Sequence, residues 1–350
     1  MTTTTLPARS RRLTVGAIAA ASALAILLSG CSGTGAESAK KTDKPAAEQT
    51  ATGSGPIEIE NCGRTIRLEK APERIIFQNA VGASHLAELN LLDKVVARSG
   101  EFDVSLYTPE QQEKFSKIPV MEGASTGHGH TKIATESILE YKPDLVVGYN
   151  SGLDRDKLEA SGVPVYFPES YCPDATETPG DFAKVTTEVD RFGKLFAVSE
   201  QAKELNANLE KRITALQEAG KNSPARGKTA AVLFITPGDT STISVYGKNS
   251  MMQAQLDSLG VKNVYESNDK RVTDVSIEDV LEKDPDIVVL LHTAGTPEEV
   301  RSTFDQIRGT KDMKAAKAGK VFSLPYPYVD PPSPLSVTGG EKLAELLAKE

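Results

Sequence analysis

Glu136-Ser-Ile-Leu-Glu-Tyr-Lys-Pro143-Asp144-Leu-Val-Val-Gly-Tyr149 and Glu278-Asp-Val-Leu-Glu-Lys-Asp-Pro285-Asp286-Ile-Val-Val-Leu-Leu291 are two copies of one pattern. They align without a gap at an offset of 142, the difference between 278 and 136. Each copy reads as a helix stopped by Pro-Asp and then a β-branched apolar run. Proline ends the helix because it lacks an N–H and clashes with the preceding turn. An uninterrupted apolar strand suits a parallel sheet covered on both faces. A weaker echo precedes each copy: Leu86, Leu89 and Asn90 before Val95-Val96, and Leu256, Leu259 and Gly260 before Val264. Further strands are predicted over 74–77, 94–98, 163–167, 229–236, 242–246 and 320–324. Strands alternating with helices mean α/β units with right-handed crossovers. The reading is an α/β protein of two related Rossmann-like lobes, 57–180 and 226–350.

Residues 181–225 connect them as helices. Phe182, Val185, Val189, Phe192 and Leu195 step by three and four, as do Ala202, Leu205, Leu209, Ile213 and Leu216. Ser199 is the expected N-cap and Gly220 the expected close. A helix of that length, ~30 Å at ~1.5 Å per residue, is a strut along both lobes. It leaves a ligand cleft between them, faced by loops at the carboxyl ends of the strands.

The 350 residues are 39% hydrophobic and 25% charged, which excludes a disordered chain, a collagen and a polytopic membrane protein. The first thirty carry Arg9, Arg11 and Arg12 and no acid, so the remainder holds 37 basic against 48 acidic side chains. Nucleic acid is not an expected partner of such a surface. The absence of Trp excludes pockets built on indole stacking.

Residues 1–30 read as a secretory signal, with a basic start and an apolar run. Leu28-Ser29-Gly30-Cys31 fits a lipobox, so Cys31 is the expected lipidation site, against the alternative of a plain signal with an incidental cysteine. Residues 31–56 are small and polar, a flexible tether. The expected place is outside the cytoplasm, anchored to the cell membrane. Cys62 and Cys172 remain. In an oxidising compartment they read most simply as a disulfide, with two free buried thiols as the alternative.

Gly127-His128-Gly129-His130 places two imidazoles on alternate residues, but no Asp, Glu or Cys adjoins them. A metal site is therefore not expected, since a closed one needs three or four ligands. The stretch reads as a polar loop before a helix starting near Thr131, with His128 or His130 open to contact a ligand. Gly123-Ala124-Ser125-Thr126-Gly127 matches GxSxG, yet a nucleophile elbow needs a helix immediately after the turn, and more glycine comes instead. No enzyme is expected. The run Pro325–Pro334 is expected to wrap the surface before a last helix at Gly340–Lys349.

Taken in order, PERII (Pro72–Ile76), LAELNLLDKVVARS (Leu86–Ser99), ESILEYKPDLVV (Glu136–Val147), the long central helix and KVFSLP (Lys320–Pro325), with the lipobox, resemble the substrate-binding lipoproteins of ABC importers for ferric siderophores, haem and cobalamin. The resemblance implies two lobes on one long helix that move little on binding. It also implies a monomer, an ABC permease as partner, and an Fe(III) chelate as ligand with no resident cofactor. Haem or cobalamin is the alternative ligand. It further implies a docking glutamate at the start of the first helix of each lobe, where an ungapped count finds Ser84 and Ala254, with Glu88 one turn on. That departure motivates a second reading, a cell-envelope scaffold without permease docking.

Candidate ligand residues lie just past predicted strand ends: Asn79, Arg98, Tyr149 and Asn150 in the first lobe, and Tyr246, Lys248, His292, Tyr326 and Tyr328 in the second. Arg offers a charged fork of donors and Tyr an apolar face with a polar tip, both suited to an anionic, oxygen-rich chelate. His292 or a Tyr could serve haem as an axial ligand. Arg74, at a strand start, reads as structural.

Overall fold

The computed structural model describes residues 55–349 except 79, 81, 101–102, 128–129, 149–152 and 173–175, and leaves out the side chains of 124–131. The signal, the tether up to residue 54 and Cys31 lie outside the described residues.

The first lobe opens with a hairpin, β1 (Ile57–Asn61) and β2 (Arg64–Leu68). Next come β3 (Ile75–Gln78), α1 (Ala83–Glu88), β4 (Val95–Ser99), α2 (Pro109–Ser116) and a second hairpin, β5 (Ala124–Gly127) with β6 (His130–Lys132). It ends with α3 (Thr135–Glu140), β7 (Leu145–Val147), α4 (Arg155–Ala160) and β8 (Val165–Tyr166). Its sheet is parallel throughout, in the order β4-β3-β7-β8. Two helices come after it, α5 (Ala183–Leu195) and α6 (Ser199–Gly220). The second lobe holds β9 (Thr229–Phe234), β10 (Ile243–Tyr246), α7 (Met251–Ser258), β11 (Lys262–Asn263), β12 (Val272–Val275), α8 (Ile277–Lys283) and β13 (Ile287–His292). It closes with α9 (Pro297–Gln306), α10 (Lys314–Lys317), β14 (Val321–Pro325) and α11 (Pro334–Leu347). Its sheet runs β12-β10-β9-β13-β14, with β11 beside the start of β9. Strands β9, β13 and β14 are parallel, whereas β10 is antiparallel to both β9 and β12.

The repeated Pro-Asp works identically in both lobes. Asp144 accepts from the backbone N–H groups of Glu73 and Arg74, each at 2.8 Å. Asp286 accepts from Thr229 N at 2.9 Å and Thr229 Oγ1 at 3.0 Å. Each carboxylate thus laces the start of the neighbouring strand to the middle of its sheet, and the Thr229 bonds hold the Asp286 carboxyl below its ordinary range. Arg74 is structural: Nε and Nη2 donate to the carbonyls of Lys142 (2.8 Å) and Tyr141 (2.6 Å), closing the end of α3.

Alternation along the strands sorts the core into layers. Ile75, Phe77, Leu145 and Val147 face inward, as do Val232 and Val289 in the other lobe. Ile76 and Val146 face an outer layer in the first lobe, and Val288 and Leu290 one in the second. The inward layer is continuous: it runs through Val189 and Phe192 of α5, Leu209 and Leu216 of α6 and Val337 of α11 into the second lobe.

Four expectations change. Ser199 is the first helical residue and not the cap; Val198 holds that place without a side-chain bond. Gly220 closes α6 as expected, and it is glycine for lack of room: a methyl there would overlap the Ser258 carbonyl oxygen of α7. The loop before α3 is the β5–β6 hairpin, so that helix starts at Thr135 rather than near Thr131. Finally, α11 begins six residues before Gly340, because Pro334 opens it over a Ser333 cap. The proline run does not wrap the surface: Val329 and Asp330 within it are 0% and 1% exposed.

Candidate ligand-binding cleft

Segments leaving the carboxyl ends of strands in the two lobes meet. Tyr171, past the end of β8, places its hydroxyl 3.2 Å from that of Tyr326, past the end of β14. The Arg271 guanidinium lies 5.7 Å over the Tyr171 ring, with Nη1 3.5 Å from Tyr326 Oη. Asp330, almost wholly buried, pairs with Arg271 and holds it in place. The Tyr326 ring stands 6.1 Å from Phe234 and 6.5 Å from Tyr246. Glu177 accepts from the backbone N–H of Arg271 and from Asn249 Nδ2 at 3.4 Å, and Gly180 N donates to Lys248 O at 2.8 Å. Beside this contact opens a cavity of about 770 Å³, counted with its mouth, lined by Ser170, Glu177, Lys184, Glu188, Asn249 and Arg271 among others.

Burial fixes the charge states. It pushes the Tyr171 and Tyr246 hydroxyls well above the ordinary phenol range, so both remain donors at neutral pH. Asp330 raises the pKa of Arg271 and keeps it charged. Burial raises the Glu188 carboxyl, although Tyr166 Oη donates to it at 2.6 Å. It lowers the Lys184 amine. The site therefore sets the Arg271 cation and neutral tyrosine hydroxyls beside the carboxyl groups of Asp330, Glu177 and Glu188 and the Lys184 amine.

Of the candidates read from the sequence, Asn79, Tyr149, Asn150 and His128 lie outside the described residues, and so does the His130 side chain. Arg98 sits within β4, where its backbone N–H donates to Pro119 O and its carbonyl accepts from Met121 N. Because β10 and β12 are antiparallel, Lys248 lies at the same end of that pair as Arg271; its carbonyl accepts from Gly180 N and its amine pairs with Asp269, while Tyr246 is buried with its ring toward Tyr326. His292 ends β13 with Nδ1 3.2 Å from Ala294 O and a buried Nε2 without a partner. Tyr326 and Tyr328 are half-buried at the cleft. Reading by strand ends missed Arg271, Tyr171, Glu177 and Asp330. Arg271 immediately precedes β12, an edge strand with no apolar run to announce it.

Cys62 and Cys172 form a disulfide, with Cα atoms 5.1 Å apart. Ser125 sits on β5 of a hairpin with no helix immediately after it, so the elbow geometry is not formed. Among the described residues no group of three or more His, Cys, Asp or Glu is placed to hold a metal ion. Ser84 and Ala254 are buried, 3% and 8% exposed. A docking carboxylate must reach solvent, so these are core positions, and the lack of glutamate there says nothing about a permease.

The profile of the periplasmic binding protein family matches residues 79–328, and the chain belongs to that family, whose members bind solutes outside the cytoplasm and are not enzymes. Among solved structures, an ABC-type Fe3+-hydroxamate transport system of Saccharomonospora viridis is 35% identical over 83% of this chain and 98% of its own, with a TM-score of 0.77. A periplasmic haem-binding protein of Pseudomonas aeruginosa (18% identity, 79% and 92% covered, TM-score 0.62) and a periplasmic vitamin B12-binding protein of Vibrio cholerae (18%, 79% and 96%, 0.56) share the fold. None of the curated proteins matches the chain.

Proposed function

We propose that the protein is a lipid-anchored receptor, held at Cys31, that captures a ferric siderophore and delivers it as a monomer to an ABC importer. The 57–180 and 226–350 lobes would close the two sides of the site around the 181–225 helices. The observation that carries this reading is Arg271, a cation fixed by a buried carboxylate and walled by Tyr171, Tyr246 and Tyr326. An anionic, oxygen-rich chelate is matched by such a set of donors. The similarity to an Fe3+-hydroxamate system at 35% identity supports the same class.

With no Trp and nine Tyr, the chain reports binding through tyrosine emission. Titration of the mature protein with ferric hydroxamate, catecholate and citrate-type chelates, corrected for absorption, is expected to give saturable quenching by one class below micromolar concentration. Arg271→Ala should weaken that binding by roughly 10–100-fold, as expected for a lost charge-assisted bond. No saturation by any ferric chelate would sink the reading. Haem is the runner-up, favoured by the unpartnered His292 Nε2. At 6% exposure that ring must turn out before it could ligate iron. A Soret shift lost in His292→Ala would establish haem instead. The scaffold reading rested on positions 84 and 254 and loses its motive.

A further inference from the structure

On the way from the first lobe to the connecting helices, two described stretches, 169–172 and 176–181, here called the strap, each bond to the second lobe. Among the described residues, the interlobe hydrogen bonds of the Arg271 cluster come from this strap on the first-lobe side: Tyr171 to Tyr326, Glu177 to Arg271 and Asn249, Gly180 to Lys248. Cys172 comes directly after Tyr171, and its bridge to Cys62 ties the strap to the tip of the β1–β2 hairpin.

That hairpin has ample anchorage of its own. Asn61 Nδ2 donates to Phe167 O at 2.6 Å, and Phe167 N donates back to Asn61 Oδ1 at 2.9 Å. Arg155 donates to Asn61 O at 3.2 Å, and Arg64 pairs with Glu159 and Asp156. A covalent bond one residue beyond such anchors adds little to the hairpin. Its remaining effect falls on the strap, downstream of Phe167. The hairpin turn also pays in backbone strain for its cysteine: Cys62 has φ 53° and Gly63 φ 71°. Asn or Gly is the ordinary choice for the first of these positions, so the thiol is kept there at a steric cost.

We infer that the Cys62–Cys172 bridge is a positioning device for the ligand cleft: it holds the strap so that Tyr171 and Glu177 stay seated on Tyr326 and Arg271. The hairpin serves as the post to which the cleft wall is fastened. The inference rests on the receptor reading for its effect on ligand, and on geometry alone for its effect on the strap.

The test compares the full protein with Cys62→Ala/Cys172→Ala by amide hydrogen exchange and by titration with ferric citrate, an anionic oxygen-rich chelate, as the probe. In the bridgeless variant the Arg271 and Gly180 amides are expected to exchange at least about tenfold faster, while those of Val288–Leu291 in β13 keep their rates. Probe affinity should fall by about tenfold, and Tyr171→Phe should cost affinity in the bridged protein but add nothing in the bridgeless one, as coupled groups do. Unchanged exchange at Arg271 and Gly180 overturns the inference. So does faster exchange that includes β13, since the bridge would then hold the whole fold. If the wild-type protein saturates with no ferric chelate of any of the three classes, the receptor reading fails while the exchange comparison still decides the role of the bridge.

Discussion

His85 stacks on Phe192 at 4.5 Å, 1% exposed, with neither ring nitrogen bonded. Burial pulls its pKa down from 6.5 to about 3, so the native ring stays neutral where an unfolded ring would charge. Protons then favour the unfolded chain: stability is full above about pH 6.5 and drains away as the pH falls toward 3. The loss is about 1.4 kcal/mol per pH unit, on the order of 4–5 kcal/mol in all. His85→Phe keeps the stacking and removes the titration, so its urea midpoint should fall less steeply between pH 6 and 4 than that of the wild type. Parallel pH profiles would contradict this. Such a ring could not be recognised from sequence, because a histidine between Ser84 and Leu86 reads equally as a surface residue. Arg271 escaped for the related reason that its role depends on Asp330, fifty-nine residues away.

At the scale of elements, the repeated helix-Pro-Asp-strand was legible because proline and β-branched runs act locally, whatever surrounds them. The connecting helices were legible from their apolar steps. What stayed hidden depends on a neighbour. The antiparallel direction of β10 is decided by its partners β9 and β12, and it is this pairing that sets Arg271 beside Lys248, a neighbourhood no local pattern announces. The run Pro325–Pro334 read as a surface wrap, when its last proline starts α11. Gly220 was legible as the close of α6, but its tight approach to α7 was not. That approach predicts that Gly220→Ala pushes two helices apart at a rigid backbone oxygen. The expected cost is at least about 3 kcal/mol in a denaturant titration, at the upper end for overpacking. A cost below about 1 kcal/mol, that of an ordinary helix glycine, would show that α6 and α7 can slide.

At the scale of the molecule, the feature that matters most is the single apolar layer shared by both lobes and the helices between them. Closing one lobe on the other would require that close-packed layer to shear, and packed interiors resist this. Small-angle scattering with and without saturating ferric chelate should therefore give the same radius of gyration, and a contraction beyond about 1 Å would point to a hinge. The shared layer also bears on the order in which the chain becomes a protein. Helix α11, the last element described, contributes Leu335, Val337, Leu343 and Leu347 to it. Synthesis delivers those residues after everything they cover. Until the ribosome has finished that final helix, the surfaces of α1, α6 and α7 that it will hide stay open to water, and a nascent chain stalled before it would have lobes but no keystone.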